Sequence, residues 1–415
     1  MTSPPFAASQ PDDETETPYA WRRLVVCVLI GTIGNVGMWS AVVALPAVEA
    51  DFGLTRASAA LPYTLAMIGI AFGGVMMGSL VDRFGLMLPS LMAAVALGLG
   101  YGIAGIATEY WQFVLAHGLL IGMVGTATMF GPLMADVSQW FTRNRGTAVA
   151  ICAAGNYLSG AIWPPVVQHF IETSGWRAAH IGVGVFCLVT MVPLALLLRR
   201  RAAVQRTAAV ETDASEARAS LGISPNALQI LLSVSAVCCC IAMAMPQVHI
   251  VAYCGQLGYG VARGTEMLAL MFSFGVISRI ASGYAADRIG GVATLLIGAL
   301  LQALALMLFL FFDGLGSLYV ISALFGLFQG GIVPSYAIIV REYFSPREAG
   351  MRVGIAIMAS LFGMAAGGWL AGKIFDLSGS YAMAFTNGIG FSLITVIITA
   401  WLLLRTRRGG TLVAA

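Results

Sequence analysis

The chain has 415 residues, 59% hydrophobic and 10% charged, with a mean hydropathy of +0.87 and a formal net charge of +3. A soluble domain carries about 25% charged residues, so the composition excludes a water-soluble globule and indicates an integral membrane protein. The small net charge, with basic residues not gathered into one patch, excludes a nucleic-acid partner.

Residues 1–20, MTSPPFAASQPDDETETPYA, are acidic and rich in Pro, Ser and Thr. No basic segment precedes their apolar residues, so they read as a disordered cytosolic tail and not as a cleaved signal peptide. Apolar runs then fall near 24–46, 58–80, 86–107, 111–137, 147–170, 178–198, 227–252, 265–285, 291–312, 316–340, 351–373 and 382–404. Each is long enough to cross a bilayer as a helix, and no alternating strand pattern competes. The expected fold class is an all-α membrane protein with 12 transmembrane helices in two pseudo-symmetric six-helix bundles. The N-terminal bundle is expected at 21–198, a cytosolic linker at 199–225, the C-terminal bundle at 226–405 and a cytosolic tail at 406–415. The run Cys238-Cys239-Cys240 lies inside an apolar segment, and no CxxC pair with metal spacing occurs. These thiols read as small buried apolar groups, with no disulfide framework, metal site or cofactor implied.

Orientation follows from the positive-inside rule. With both termini in the cytosol, the inner loops and tails hold Arg22, Arg23, Arg83, Arg143, Arg145, the Arg199-Arg200-Arg201 cluster, Arg206, Arg218, Arg288, Arg341, Arg347, Arg352, Arg405, Arg407 and Arg408. The outer side holds Arg56, Arg177, Arg263 and Lys373. The expected location is a bacterial inner membrane, with the protein a monomer.

The two halves repeat. GSLVDRFG (Gly78 to Gly85) recurs as GYAADRIG (Gly283 to Gly290), each closing the second span of its half. WFTRNRGTAVAICAAG (Trp140 to Gly155) recurs loosely as YFSPREAGMRVGIAIMASLFG (Tyr343 to Gly363), and each copy carries glycines nine apart, Gly146 with Gly155 and Gly354 with Gly363. Internal repeats in a helical membrane protein mark secondary transporters, with the solute site at the repeat interface.

Arg279 stands inside the apolar run MLALMFSFGVISRIASGYAA, eight residues before the polar turn Asp287-Arg288. At about 1.5 Å per residue it lies roughly 12 Å inside the boundary, near the middle of a ~30 Å hydrocarbon core. A charge there needs a partner or a task. No Asp or Glu lies near the middle of any span; Asp82, Asp136 and Asp287 sit at cytosolic ends and Glu266 at the far end of the same helix. The alternatives left are a transported anion or hydrogen bonds to helix carbonyls. A planar guanidinium suits a bidentate grip on a carboxylate, and one such cation suggests a solute with one carboxylate.

Twelve spans, a 6+6 arrangement and the repeated G-x-x-x-D-R-x-G loop resemble the major facilitator superfamily over nearly the whole chain. EADFGLTRASAALPYT, ADVSQWFTRNRGTAVAI, GWRAAHIGVG and AGKIFDLSGSYAMAF resemble its monocarboxylate-transporter-like and oxalate/formate-antiporter-like branch. The resemblance implies the superfamily's fold and alternating access by rocking, and places Arg279 where monocarboxylate transporters carry a substrate-binding arginine. Three positions depart from the pattern. Gly275 stands where the animal proteins have an aspartate, the first span has no lysine, and Leu361 and Phe362 occupy the depth at which oxalate/formate antiporters place one. Gly160 stands where a drug-antiporter signature needs a proline.

By depth, the remaining substrate-binding candidates are Asn35 and Trp39 in the first span, Asn156 and Tyr157 in the fifth, and Gln329 and Tyr336 in the tenth. An amide and aromatic wall around one charge suits a small amphipathic acid; packing and interhelical hydrogen bonding are the ordinary alternatives. His117 and His249 are candidates for proton coupling. A cytosolic latch is expected from Gly78, Asp82, Arg83 and Gly85, their repeats Gly283, Asp287, Arg288 and Gly290, and Asp136 with Arg143. The leading expectation is a secondary transporter of a monocarboxylate, by proton symport or anion exchange. An exporter of amphipathic or drug-like compounds and a non-transporting sensor are the alternatives. An enzyme is not expected, because no nucleophile–base pair, metal cluster or nucleotide loop is present.

Overall fold

A computed structural model describes residues 16–141, 144–200 and 223–413. Most of the expected N-terminal tail, most of the linker, Arg143 and the last two residues lie outside the described residues. Among the described residues, eleven helices are long and apolar enough to cross a membrane. One of them, Gly146–Leu196, turns at Gly175, whose φ of 82° and ψ of 158° are not helical. It therefore holds two spans, 146–174 and 176–196, and the number of crossings is twelve. The order is Pro18–Phe52, Arg56–Phe84, Met87–Ile106, Tyr110–Trp140, the two halves of Gly146–Leu196, Pro225–Gln256, Val261–Ile289, Gly291–Phe311, Leu315–Tyr343, Glu348–Ser378 and Tyr381–Arg405. These are the first to twelfth spans below. An even number of crossings puts both ends of the chain on one face, the terminal face; the opposite one is the far face.

The sequence repeat is also a repeat of contacts. Gly155 packs on the first span, where an added Cβ would lie 3.2 Å from the Val28 carbonyl; Gly363 packs on the seventh, 2.5 Å from that of Val237. Gly69 and Gly73 of the second span press on the backbone of the fourth, at Gly118 and Met123. In the other half, Gly326 and Gly330 of the tenth span press on the eighth, at Met271 and Gly275. Without a hydrophobic drive between helices in lipid, close backbone approach at such small residues supplies the packing. Gly85 and Gly290 end the second and eighth spans with φ 76° and 81°, a conformation only glycine adopts without strain.

Two spans lapse from α-helix at matching places. The fourth passes into π-helix over Ala116–Gly125, then 3₁₀ over Thr126–Met129, and breaks at Phe130 before Gly131–Trp140 resumes with Pro132 in its first turn. The tenth breaks at Gly330-Gly331, and Ile332–Tyr343 resumes with Pro334 near its start. The first span has a lesser break at Asn35.

At the far face the halves are joined. Both oxygens of Asp376, near the end of the eleventh span, accept backbone N–H bonds from Arg56 (2.8 Å) and Ala57 (2.9 Å) at the start of the second. Thr64 donates to the Ala365 carbonyl at 3.2 Å. Deeper in, the Phe72 and Phe362 rings meet edge to face, with centroids 5.7 Å apart. Beyond that contact the same helical stripes run on to the terminal face through Met76 and Ser79 on one helix, and Ile355 and Met351 on the other. All four are exposed. On the fifth span the stripe that meets the eighth continues through Ala150 and Gly146, also exposed. The halves touch from the far face to mid-depth and splay toward the terminal face, leaving a cleft open there.

Candidate functional site

Arg279 stands at the apex of this cleft. Its Nη1 donates to the Ala153 carbonyl of the fifth span at 3.1 Å, and its guanidinium carbon lies 4.4 Å from the centre of the Tyr157 ring. Among the described residues no carboxylate forms an ion pair with it, and its buried Nε–H has no hydrogen-bond partner. Of the two expected partners, a helix carbonyl is engaged in this state. One N–H of five rests on a carbonyl, and the group as a whole is not saturated. The close approach that brings Arg279 to the fifth span depends on Gly275, one turn earlier. A Cβ there would come 2.2 Å from the Tyr157 ring. The missing side chain at Gly275 admits an aromatic ring from the other half.

Tyr157 also meets Phe272, edge to face at 5.7 Å, and Phe272 is 4.1 Å from the ring centre of Trp39 on the first span. Trp39 and Phe272 form the roof of the cleft, closing it from the far face; the buried indole Nε1–H of Trp39 has no partner. On the fifth span, Gly155 and Trp163 face the first span, while Ala153, Tyr157 and Gly160 face the eighth. Helical spacing puts Asn156 between those two faces, toward the gap that the first and eighth spans border. Its Oδ1 is buried and unpartnered. The structure therefore gathers Arg279, Tyr157, Asn156 and Trp39, adds Phe272, and leaves three polar groups there unsatisfied. A buried polar group without a partner is costly, so such groups at the head of an open cleft await a ligand or water.

Three other candidates point elsewhere. Asn35 donates to the carbonyls of Gly31 (2.7 Å) and Met129 (3.5 Å), bridging the break in the first span to the break in the fourth. Gln329 accepts from Gln247 at 2.7 Å inside the C-terminal half. The Tyr336 hydroxyl meets Ser235 Oγ (3.0 Å) and Cys239 Sγ (3.2 Å), tying the tenth span to the seventh. All three make their polar contacts within one half, with none to Arg279, Tyr157 or Trp39.

The latch residues lie at the terminal face. Asp82 and Asp287 are exposed, and Gly78 and Gly283 face open space, as the splayed halves require. Arg83 stacks over Phe84, and Arg288 over Tyr284, whose hydroxyl it also contacts. Asp136 has another attachment. It takes Arg23 in a bidentate, buried ion pair (2.7 and 2.8 Å) between the first and fourth spans of one half, and Arg23 also donates to the Arg200 carbonyl at 3.0 Å. Removing one partner of a buried pair strands the other charge. Asp136→Ala is therefore expected to cost about 3–5 kcal/mol, seen as a lowered melting temperature in detergent.

The two histidine candidates differ. His249 is satisfied at both ring nitrogens, by the Tyr381 hydroxyl (3.1 Å) and the Gly368 carbonyl (2.8 Å). His117 bonds only through Nδ1, to the Phe113 carbonyl at 2.9 Å.

The model of the Major Facilitator Superfamily matches residues 27–317 and 265–414. Similar proteins include MFS-type transporter pynF of Aspergillus niger, 25% identical over 75% of this chain and 70% of the relative. Agnestins efflux protein AgnL12 of Paecilomyces divaricatus is 24% identical over 77% and 72%, and monocarboxylate transporter 13 of Bos taurus is 26% identical over 79% and 77%. Among solved structures, a bacterial homolog of the human lysosomal transporter Spinster, inward-facing and unoccupied, superposes with a TM-score of 0.72 at 16% identity, covering 95% of this chain and 98% of that one. Nucleoside transporter NupG gives 0.71 at 14%, covering 92% and 99%.

Proposed function

The chain belongs to the major facilitator superfamily, and from that premise we propose that it carries a small monocarboxylate across the membrane by alternating access. The observation behind this reading is the unsaturated guanidinium of Arg279 at the head of the cleft, with no carboxylate among the described residues paired to it. An entering carboxylate takes the free edge of the guanidinium and its buried Nε–H. The Trp39 indole N–H is a further donor for it, the Asn156 Oδ1 can accept from a hydroxyl of the acid or from a water, and Tyr157 and Phe272 cover its apolar part. A single cation supports one carboxylate; a dicarboxylate would leave a second charge in an aromatic wall. The similarity to monocarboxylate transporter 13 points the same way.

The arginine-rich terminal face is the cytosolic one on this reading, so the state described is inward-open. The protein acts as a monomer, with proton symport or anion exchange as the mode, in a bacterial inner membrane. A second reading, an exporter of amphipathic compounds, is favoured by the relative named as an efflux protein. It keeps the same site and reverses the direction of net flux.

The test is thermal stabilisation of the purified protein by a panel of organic acids (lactate, pyruvate, a branched 2-oxo acid, an aromatic carboxylate) at two pH values. A ligand at about 100 times its Kd stabilises the folded state by about 2.7 kcal/mol. The expected result is a raised melting temperature with one of these acids, abolished in Arg279→Gln. Stabilisation that is the same in the variant would refute the assignment.

A further inference from the structure

The N-terminal half contains a second polar pocket, separate from the cleft. His117 of the fourth span and His180 of the sixth face each other with ring centres 5.6 Å apart. Both are buried, and Tyr101 of the third span lies 6.2 Å and 5.7 Å from them. Each histidine bonds through Nδ1 to the carbonyl four residues before it, His117 to Phe113 at 2.9 Å and His180 to Trp176 at 2.8 Å. A carbonyl only accepts, so Nδ1 must carry the hydrogen in both rings. The neutral imidazole then has a bare lone pair at Nε2, and neither Nε2 has a partner. The pocket thus holds two hydrogen-bond acceptors and lacks a donor.

Among the described residues no group hydrogen-bonds to either Nε2, and Cys187 of the sixth span, a buried free thiol, lies beside Tyr101 and bonds to neither ring. Phe113 and Trp176 close it with their rings. The second span meets the fourth here through Leu65, Ala66 and Gly69, which are apolar. The Tyr101 hydroxyl shares a hydrogen bond with Ser40 of the first span at 2.6 Å and does not reach either Nε2. Arg177 and Asp51 pair with each other at 2.7 Å, and Arg177 stacks on Trp176 at 4.2 Å. Two nitrogens with no carboxylate or thiolate also fall short of a metal's donor set, and among the described residues no group of three such ligands occurs.

We propose that His117 and His180 together form a binding site for one proton, and that this proton is the one coupled to solute movement. This rests on the transporter reading above and deepens it. One proton converts one acceptor into the missing donor, whereas a second would set two imidazolium ions side by side in a buried pocket. The connection to the cleft is short. Ser40, which holds Tyr101 against the pair, follows Trp39, which forms the roof of the cleft against Phe272. One helix of the first span, Val36–Phe52, carries both contacts on different faces.

The chain has four histidines, so the Cε1–H signals of ¹³C-histidine-labelled protein are four, each assignable by substitution. His→Asn is the suitable variant, because the asparagine amide keeps a donor near the position of Nδ1 and removes the lone pair of Nε2. As pH falls, the His117 and His180 signals are expected to move together in one step, with His249 unmoved while the protein stays folded. Flat signals from both, over the pH range in which the fold persists, overturn the proposal.

In liposomes, [¹⁴C]pyruvate exchange at equal pH and uptake driven by an acid-outside gradient are read side by side. The His117→Asn/His180→Asn variant should keep exchange and lose at least tenfold of the gradient-driven uptake. Retained gradient-driven uptake, or loss of exchange as well, overturns the coupling role. If wild-type protein moves no pyruvate in either assay, the solute assignment fails, and the titration still decides the proton site.

Discussion

Arg279→Gln is expected to abolish carboxylate uptake while leaving the fold intact. The guanidinium makes one bond to protein, at Ala153, and packs on one ring, so its loss removes little that holds the halves together. It removes the one cation that the described residues place at the apex of the cleft. Losing one partner of a buried, hydrogen-bonded charge pair costs about 2–5 kcal/mol, roughly 30- to 5,000-fold in affinity. Arg279→Lys should fall almost as far, because a lysine keeps the charge and loses the planar fork that grips both carboxylate oxygens. Initial uptake rates in reconstituted liposomes, with melting temperatures as a control on folding, check both. Wild-type transport by either variant would refute the assignment of Arg279.

The second large effect is at the far face. Asp376→Asn should shift the protein toward an outward-open state. The carboxylate meets two backbone N–H groups at the start of the second span, where the helix dipole adds to the attraction. Neighbouring groups join the same contact. Arg56 pairs with Glu49 at 2.7 Å and stacks on Phe375 at 5.2 Å. An asparagine retains one acceptor and no charge. Because the site is partly exposed, the loss is about 1–3 kcal/mol, equivalent to a roughly 5- to 150-fold change in the ratio of the two states. Spin-label distances across the far face, between single cysteines placed in the first and seventh spans, should lengthen in the variant. Unchanged distances would show that the carboxylate does not hold this side shut.

The crossings, the repeat and the depth of Arg279 were legible in the sequence because each depends on position along the chain alone. Hydropathy marks where a helix enters and leaves the membrane, and a charge inside it is conspicuous. The direction in which a side chain points around its helix is not marked in that way. Asn35 and Asn156 share a depth, yet one bridges two helix breaks and the other borders the cleft. The difference comes from which glycines press on which backbones, a tertiary matter. Phe272 looked like any apolar residue of its span and proved to be the partner of both Trp39 and Tyr157. His180 has no distinguishing pattern around it in the sequence; only the packing of the helices shows what faces it. Asp376 gave a weak signal, a carboxylate just before a glycine turn, and its partners lie about 320 residues away.

The interruptions in the fourth and tenth spans mean that neither half is a stiff rod bundle from one face to the other. Each has a joint at the same level, and the proline just beyond it, Pro132 or Pro334, lacks the amide hydrogen that would stitch the pieces into one continuous cylinder. The segments beyond the joints can then swing without disturbing the far-face contacts, which the second and eleventh spans make. Mouth and clasp are built from different segments, so closing one does not in itself require release of the other.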